Sequence, residues 1–141
     1  MDVDRLLRVR DGIEAEPSRL EMIDDFVAPR FSGNGAFIGC DLCIAARAAL
    51  DAGFIALRGT PRPNAPGTFY DVTLPGKEQA FLLELGSMAL DLDPRQADRL
   101  FFVDEWPVNL RSSFLHATSA TARAAITTRR IARFIESEGR E

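Results

Sequence analysis

The segment Leu90–Pro107, LDLDPRQADRLFFVDEWP, constrains the fold more than any other part of the chain. Asp93 can act as a helix N-cap, Pro94 takes the first helical position, and Gln96 follows the cap at capping-box spacing. One apolar stripe is formed by Ala97, Leu100 and Phe101. Because a Trp-Pro pair follows the stripe, the sequence predicts an amphipathic helix (93–102) with both ends marked, packed on a larger helical core.

Length and composition indicate one soluble globular domain covering residues 1–141. The chain has 141 residues, of which 46% are hydrophobic and 27% charged, and a net charge of -4. The acidic balance disfavours nucleic acid as a partner, because a free duplex-binding surface more often accompanies a basic balance. No apolar run approaches the roughly 20 residues of a membrane span, and the acidic N-terminus is unlike a secretory signal. We therefore expect a cytoplasmic protein that does not bind membranes.

Hydrophobic periodicity and capping residues predict a mainly α fold, a compact bundle of five to six helices with a small β-hairpin. The predicted helices cover about 3–15, 18–25, a third segment capped by Asp41 and ending at Gly53, 77–90, 93–102 and 120–137. The hairpin strands are predicted at 54–57 and 68–74. Loops are expected at 31–39, at 58–67 as a flexible proline-rich loop, and at 109–119, with a short charged tail at 138–141.

The order of these segments resembles a group of small, uncharacterised proteins from bacteria and their phages. The best match is Leu90–Phe101 with Trp106–Pro107, similar to a Leu-Gly-Leu-Thr-Pro-x-x-Ala-x-x-Leu-Phe helix that ends in Trp-Pro. Gly39 and Cys43 fall on a Cys-Gly-Thr-x-x-Cys-x-x-Gly-x-Ala segment, but Ile38 stands where that pattern has its first cysteine. The resemblance implies a bacterial or phage accessory protein and supplies no activity.

Cys40 and Cys43 form a C-x-x-C pair at the predicted start of the third helix. A helix N-terminus stabilises a thiolate, so this spacing suits a redox dithiol. The alternative is that Cys43 packs as a small apolar side chain and Cys40 is incidental, because the chain lacks a thioredoxin-like strand pattern. Two cysteines do not indicate a disulfide scaffold.

Other catalytic and cofactor motifs are absent from the sequence. His116 is the only histidine and lies far from both cysteines in the chain, so neither a zinc site nor a Cys-His nucleophile is indicated. There is no P-loop, dinucleotide fingerprint, GxSxG or HExxH. We therefore predict no metal, no cofactor and a non-catalytic protein.

Two surfaces are candidate contact sites for a partner. Asp104, Glu105 and Trp106 could form a recognition patch, although the acids could equally be solvated beside a buried Trp. On the last helix, Arg129, Arg130 and Arg133, with Arg123, could hold an acidic partner or RNA, or form a plain solvated face.

The sequence thus predicts a protein-interaction protein, an adaptor or inhibitor, whose partner is another protein. A thiol redox protein using Cys40 and Cys43 is the first alternative. Nucleic-acid binding through the arginine-bearing last helix is the second. The last helix could form a homodimer interface if its apolar face is wider than the core of one chain can cover.

Overall fold

A computed structural model describes residues 1–20, 22, 30–32, 36–39, 42–57 and 68–141. This part of the chain is mainly helical, as predicted, and shows six α-helices. They are α1 (Val3–Ala15), α2 (Ile44–Asp51), α3 (Leu82–Leu90), α4 (Pro94–Phe101), α5 (Val108–His116) and α6 (Ala120–Glu136). None of the described helices is long and apolar enough to cross a membrane.

The described strands form one antiparallel sheet in the order β1-β2-β4-β3. The strands are β1 (Arg30–Ser32), β2 (Ala36–Gly39), β3 (Ile55–Leu57) and β4 (Thr68–Val72). The predicted hairpin is confirmed, with Ile55 opposite Val72 and Leu57 opposite Tyr70. The loop predicted at 31–39 is wrong, because β2 pairs with the other edge of β4. A hairpin alone is marginal, and this added pairing satisfies backbone groups that β4 would otherwise expose.

The ends of α1 and α2 show how local sequence sets helix boundaries. Asp2 caps α1, since its carboxylate accepts from the N–H of Arg5 at 2.9 Å. The short helix predicted at 18–25 is instead a 3-10 turn, Pro17–Arg19, after which Leu20 is extended; residues 21 and 23–25 lie outside the described part. Helix α2 begins at Ile44 with Cys43 as its cap, whereas Asp41, the predicted cap, lies outside the described residues.

The boundaries of α3, α4 and α5, in and around the segment Leu90–Pro107, test the sequence predictions further. Helix α4 has the predicted capping box of Asp93 and Gln96. Helix α3 begins at Leu82 rather than at Lys77, because a turn at Gly76, with φ +80°, leads into further turns. The predicted loop at 109–119 is wrong: residues 108–116 form α5, which packs against α6.

The core joins the helices to the sheet. Gly86 of α3 lies so close to Ala45 of α2 that an added Cβ would stand 2.7 Å from the Ala45 Cβ. Tyr70 of β4 is fully buried, and its hydroxyl accepts from the N–H of Leu42 at 3.2 Å. Helices α1 and α6 pack together on the other side. The result is one continuous core that holds α3, α4 and α6 in fixed positions.

Candidate functional site

An open groove of about 630 Å³ lies between α3 and α4. Its apolar lining consists of Leu83, Met88, Leu92, Ala97, Phe101 and Phe102. Met88 is 43% exposed, a high value for a large apolar side chain. The groove thus presents apolar surface to solvent on one side of α4.

Acidic side chains surround this groove. Glu84, Asp91 and Asp98 line it and are exposed, and none of its described lining residues is Lys or Arg. Glu84 pairs with Lys77 at 2.7 Å, and the Asp91 carboxylate lies 3.2 Å from the Met1 amino group. Exposed pairs of this kind are weak, and they leave Asp98 as the rim carboxylate without a salt bridge among the described residues.

Local sequence explains why the groove is apolar. Helix α3 buries Leu82, Leu85 and Leu90 in the core, while Leu83 and Met88 lie on its other faces. A helix with apolar residues on more than one face needs a second covering surface. Helix α4 covers part of α3, and the groove is the part left open.

Trp106 ends the α4 segment as a buried structural residue. It is 3% exposed, its indole N–H donates to the Leu100 main-chain oxygen at 3.1 Å, and its ring meets Phe114 edge-on at 5.3 Å. Asp104 and Glu105 are exposed beside it. Of the predicted patch, the two acids are therefore available for contact and the Trp side chain is not.

Arg130 of α6 corrects the second predicted surface, because its side chain is fully buried rather than exposed. Its Nη2 donates to the main-chain oxygens of Arg99, at 2.8 Å, and Glu141, at 2.7 Å. Its guanidinium also lies over the Phe134 ring at 5.3 Å. Its Nε and Nη1 are buried and have no hydrogen-bond partner among the described residues.

The charge of Arg130 is destabilised by its surroundings. Burial lowers its pKa to about 10, and the nearby positive charges of Arg133 and Arg99 act in the same direction, against Glu141. The guanidinium therefore stays protonated at neutral pH. A buried cation with unpartnered donors is costly, and such groups concentrate where ligands bind.

The C-terminal tail, defined as residues 137–141, covers this arginine. Arg99 donates to the Gly139 main-chain oxygen at 3.3 Å, and the Glu141 carboxylate accepts a short hydrogen bond from Arg133 Nε. Arg133 lowers the pKa of Glu141 through this bond and its charge. Arg129 is exposed, so the predicted arginine face is divided into one exposed, one tail-bound and one buried residue.

The cysteine and histidine predictions have mixed outcomes. Cys43 is fully buried, but it is disulfide-bonded, which the interpretation of Cys43 as a simple apolar side chain did not include. Cys40, the other cysteine of the sequence, lies outside the described residues, as does the proline-rich loop 58–67. His116 is exposed on α5, where its Nδ1 lies 2.8 Å from the Ser112 main-chain oxygen. The described residues contain no group of three or more His, Cys, Asp or Glu that could hold a metal ion.

Comparison with known proteins gives no match. No family model matches this chain, and neither a curated protein nor a solved structure matches it.

The groove was not predicted from the sequence, and Arg130 and Arg133 were predicted only as part of a contact face on the last helix, not as a buried site. The groove combines residues of two helices, and no motif marks it. Arg130 did carry a signal: Thr127, Arg130 and Phe134 share one helical face, at i, i+3 and i+7, and all three are buried. The sequence predicts a buried face of α6 that includes Phe134 but neither Thr127 nor Arg130; its members are Ala124, Thr128, Ile131, Phe134 and Ile135.

Proposed function

We propose that the protein is a non-catalytic interaction protein that holds a basic amphipathic helix of another protein in the groove between α3 and α4. One observation carries the proposal: the groove combines a partly exposed apolar lining, with Met88 its most exposed member, with acidic side chains at its rim. Apolar grooves bind helices through side chains spaced at i, i+3, i+4 and i+7, and an acidic rim favours lysine or arginine between those anchors. Asp104 and Glu105 follow Phe102 in the chain and extend the negative charge beyond the groove.

The resemblance to small bacterial and phage proteins is compatible with this role, because adaptors and inhibitors need a binding surface rather than a catalytic site. It adds no substrate or partner. A bacterial or phage origin and a cytoplasmic location remain predictions from the sequence.

The test uses a synthetic helical peptide of leucine and lysine as the probe, and fluorescence anisotropy as the readout. We expect Met88→Lys to weaken peptide binding at least about tenfold, because it places a charge in the apolar lining and lowers the negative potential. Val108→Lys is the matched control. Val108 is 71% exposed on α5, does not line the groove, and gives the same change of net charge.

Equal binding by the two variants would overturn the proposal, since the peptide would then respond only to overall charge. Tight binding of a leucine–glutamate peptide would also contradict it. A second copy of this chain is the other candidate occupant of the groove. If the wild type sediments as a dimer and Met88→Lys sediments as a monomer, the groove binds a second copy of this chain and not a helix of another protein.

Thiol redox chemistry is a second candidate, favoured by the disulfide-bonded state of Cys43 at the N-terminus of α2. Its measurement is the reduction potential in dithiothreitol buffers. A potential less negative than about -300 mV supports a redox role, whereas a more negative one indicates a structural disulfide.

Nucleic-acid binding through α6 stays the weaker alternative, because Arg130 is buried and Arg133 is paired with Glu141. It predicts retention on heparin that falls steeply with salt.

A further inference from the structure

Arg130 has more hydrogen-bond donors than the described residues satisfy. A guanidinium carries five N–H groups in one plane. The two acceptors described above both bind Nη2, which leaves Nε and Nη1 buried without a partner. Most buried polar groups are satisfied, and each exception needs an explanation such as a ligand or an ordered water.

The surroundings of these donors favour an anion over a neutral group. Arg99 and Arg133 are close enough to lower the pKa of Arg130 by repulsion, so three positive charges converge at one end of α6. No Asp or Glu side chain of the described part forms a salt bridge with Arg130. Arg129 and Arg133 line an open cavity of about 490 Å³ together with Ser137, Glu136 and Glu141, whereas Arg99 and Arg130 are not part of its lining.

The C-terminal tail already places oxygen atoms against all three arginines. Gly139 offers its main-chain oxygen to Arg99, and Glu141 offers its main-chain oxygen to Arg130 and its carboxylate to Arg133. Three oxygens on converging guanidiniums resemble the contacts of a bound oxyanion. The contact of the Glu141 carboxylate with Arg133 is exposed, so this contact can be exchanged at little cost.

We propose that Arg99, Arg130 and Arg133 form a binding site for a phosphate group, and that the tail occupies this site until phosphate displaces Glu141. Phosphate has enough oxygens to replace the two acceptors that Glu141 supplies, one to Nη2 of Arg130 and one to Nε of Arg133. Arginine pairs with phosphate in bidentate geometry, which suits a planar group that is held rigidly by its surroundings. This inference is independent of the groove between α3 and α4.

The experiment measures binding of inorganic phosphate by calorimetry at constant ionic strength, with chloride as the replacement anion. We expect saturable binding by the wild type. Arg133→Gln should weaken it at least about tenfold, and Glu141→Gln should strengthen it several-fold by removing the competing carboxylate. Arg95→Gln is the matched control, because Arg95 is exposed on α4 and takes no part in the site.

Three results would overturn the proposal. The first is the absence of binding by both the wild type and Glu141→Gln. The second is an equal loss in Arg133→Gln and Arg95→Gln, which would indicate a general charge effect. The third is unchanged binding in Arg133→Gln. Phosphoserine serves as a second probe. Tighter binding of phosphoserine than of inorganic phosphate would identify the ligand as a phosphate ester, and tighter binding of inorganic phosphate would identify it as the free ion.

Discussion

The two flanks of α4 differ in chemistry although one short helix forms both. Toward α3, α4 lines an open, apolar groove with an acidic rim. Toward α6, its last turn accepts a hydrogen bond from the buried cation Arg130, and Arg99 joins the same positive cluster. Among the described residues, the first flank has apolar side chains that no other element covers, and the second has buried donors without a hydrogen-bond partner.

This difference shows that net charge describes neither site. The chain carries -4 overall, yet its charges are separated into an acidic groove and a basic end of α6. Each flank obtains its chemistry from the helix that packs against α4. If the two flanks of α4 bind their ligands independently, substitutions at one flank should leave ligand binding at the other unchanged.

Trp106→Ala should damage both flanks, because Trp106 fixes the end of α4 through Leu100 and Phe114. We expect a loss of about 3–5 kcal/mol in the free energy of unfolding, measured in urea. Trp106→Phe should lose less, since it keeps the ring and removes only the indole donor. Val108→Ala, at an exposed position, is the control and should stay within about 0.5 kcal/mol of wild type. A similarly small effect of Trp106→Ala would refute the structural role.

Gly139→Ala should affect only the arginine flank. Gly139 has φ +74°, and an added Cβ would lie 2.5 Å from the Gln96 Nε2. We expect a loss of about 1–3 kcal/mol in the free energy of unfolding and tighter phosphate binding, because the tail is loosened. Gly53→Ala separates the two causes, since Gly53 has φ +72° but nothing within 4 Å of its added Cβ. Equal effects of the two substitutions would mean that backbone strain alone acts and that tail contact with α4 contributes nothing.

Arg130→Met should change the free energy of unfolding by at most about 1 kcal/mol without phosphate. The cost of losing two hydrogen bonds is offset by removing a buried charge with unpartnered donors. Addition of phosphate should raise the melting temperature of the wild type and leave that of Arg130→Met unchanged. A loss of about 3 kcal/mol or more in the free energy of unfolding is the size expected when a buried ion pair is broken. Such a loss would show that Arg130 has all its hydrogen-bond partners and is purely structural.

Acid should release the tail and leave the Trp106 corner intact. The pKa of Glu141 is lowered below its ordinary 4.5 by the hydrogen bond and charge of Arg133. The stabilising contact is therefore fully present above about pH 4.5 and is lost as the pH falls through the lower folded-state pKa. Amide NMR signals of residues 139–141 should titrate there, while the Trp106 indole signal stays constant. Glu141→Gln should remove this titration, and its persistence in that variant would contradict the assignment.

Much of the fold could be predicted because the signals were local. Asp93, Pro94 and Gln96 mark the start of α4 within four residues, and Asp2 marks the start of α1 in the same way. The hairpin of β3 and β4 was also predictable, since its strands have β-forming residues on both sides of a proline-rich segment.

The remaining features depend on contacts between distant residues. Helix α5 contains serines that favour loops, and its packing on α6 outweighs that preference. Strand β2 forms because β4 offers a free edge. The two candidate sites also depend on distant residues: Met88 and Phe102 line the same groove, and Arg130 donates a hydrogen bond to Arg99, 31 positions away. No local pattern in the sequence encodes either meeting.

The most direct test of the account is a two-ligand titration followed by amide NMR on one ¹⁵N-labelled sample, with the leucine–lysine peptide added first and phosphate second. We predict that the peptide shifts signals of residues 83–91, and that phosphate then shifts those of Arg99 and of residues 129–141 without reversing the first set. Phosphate-induced shifts of residues 83–91, or release of the peptide by phosphate, would contradict the claim that α4 separates two independent binding sites.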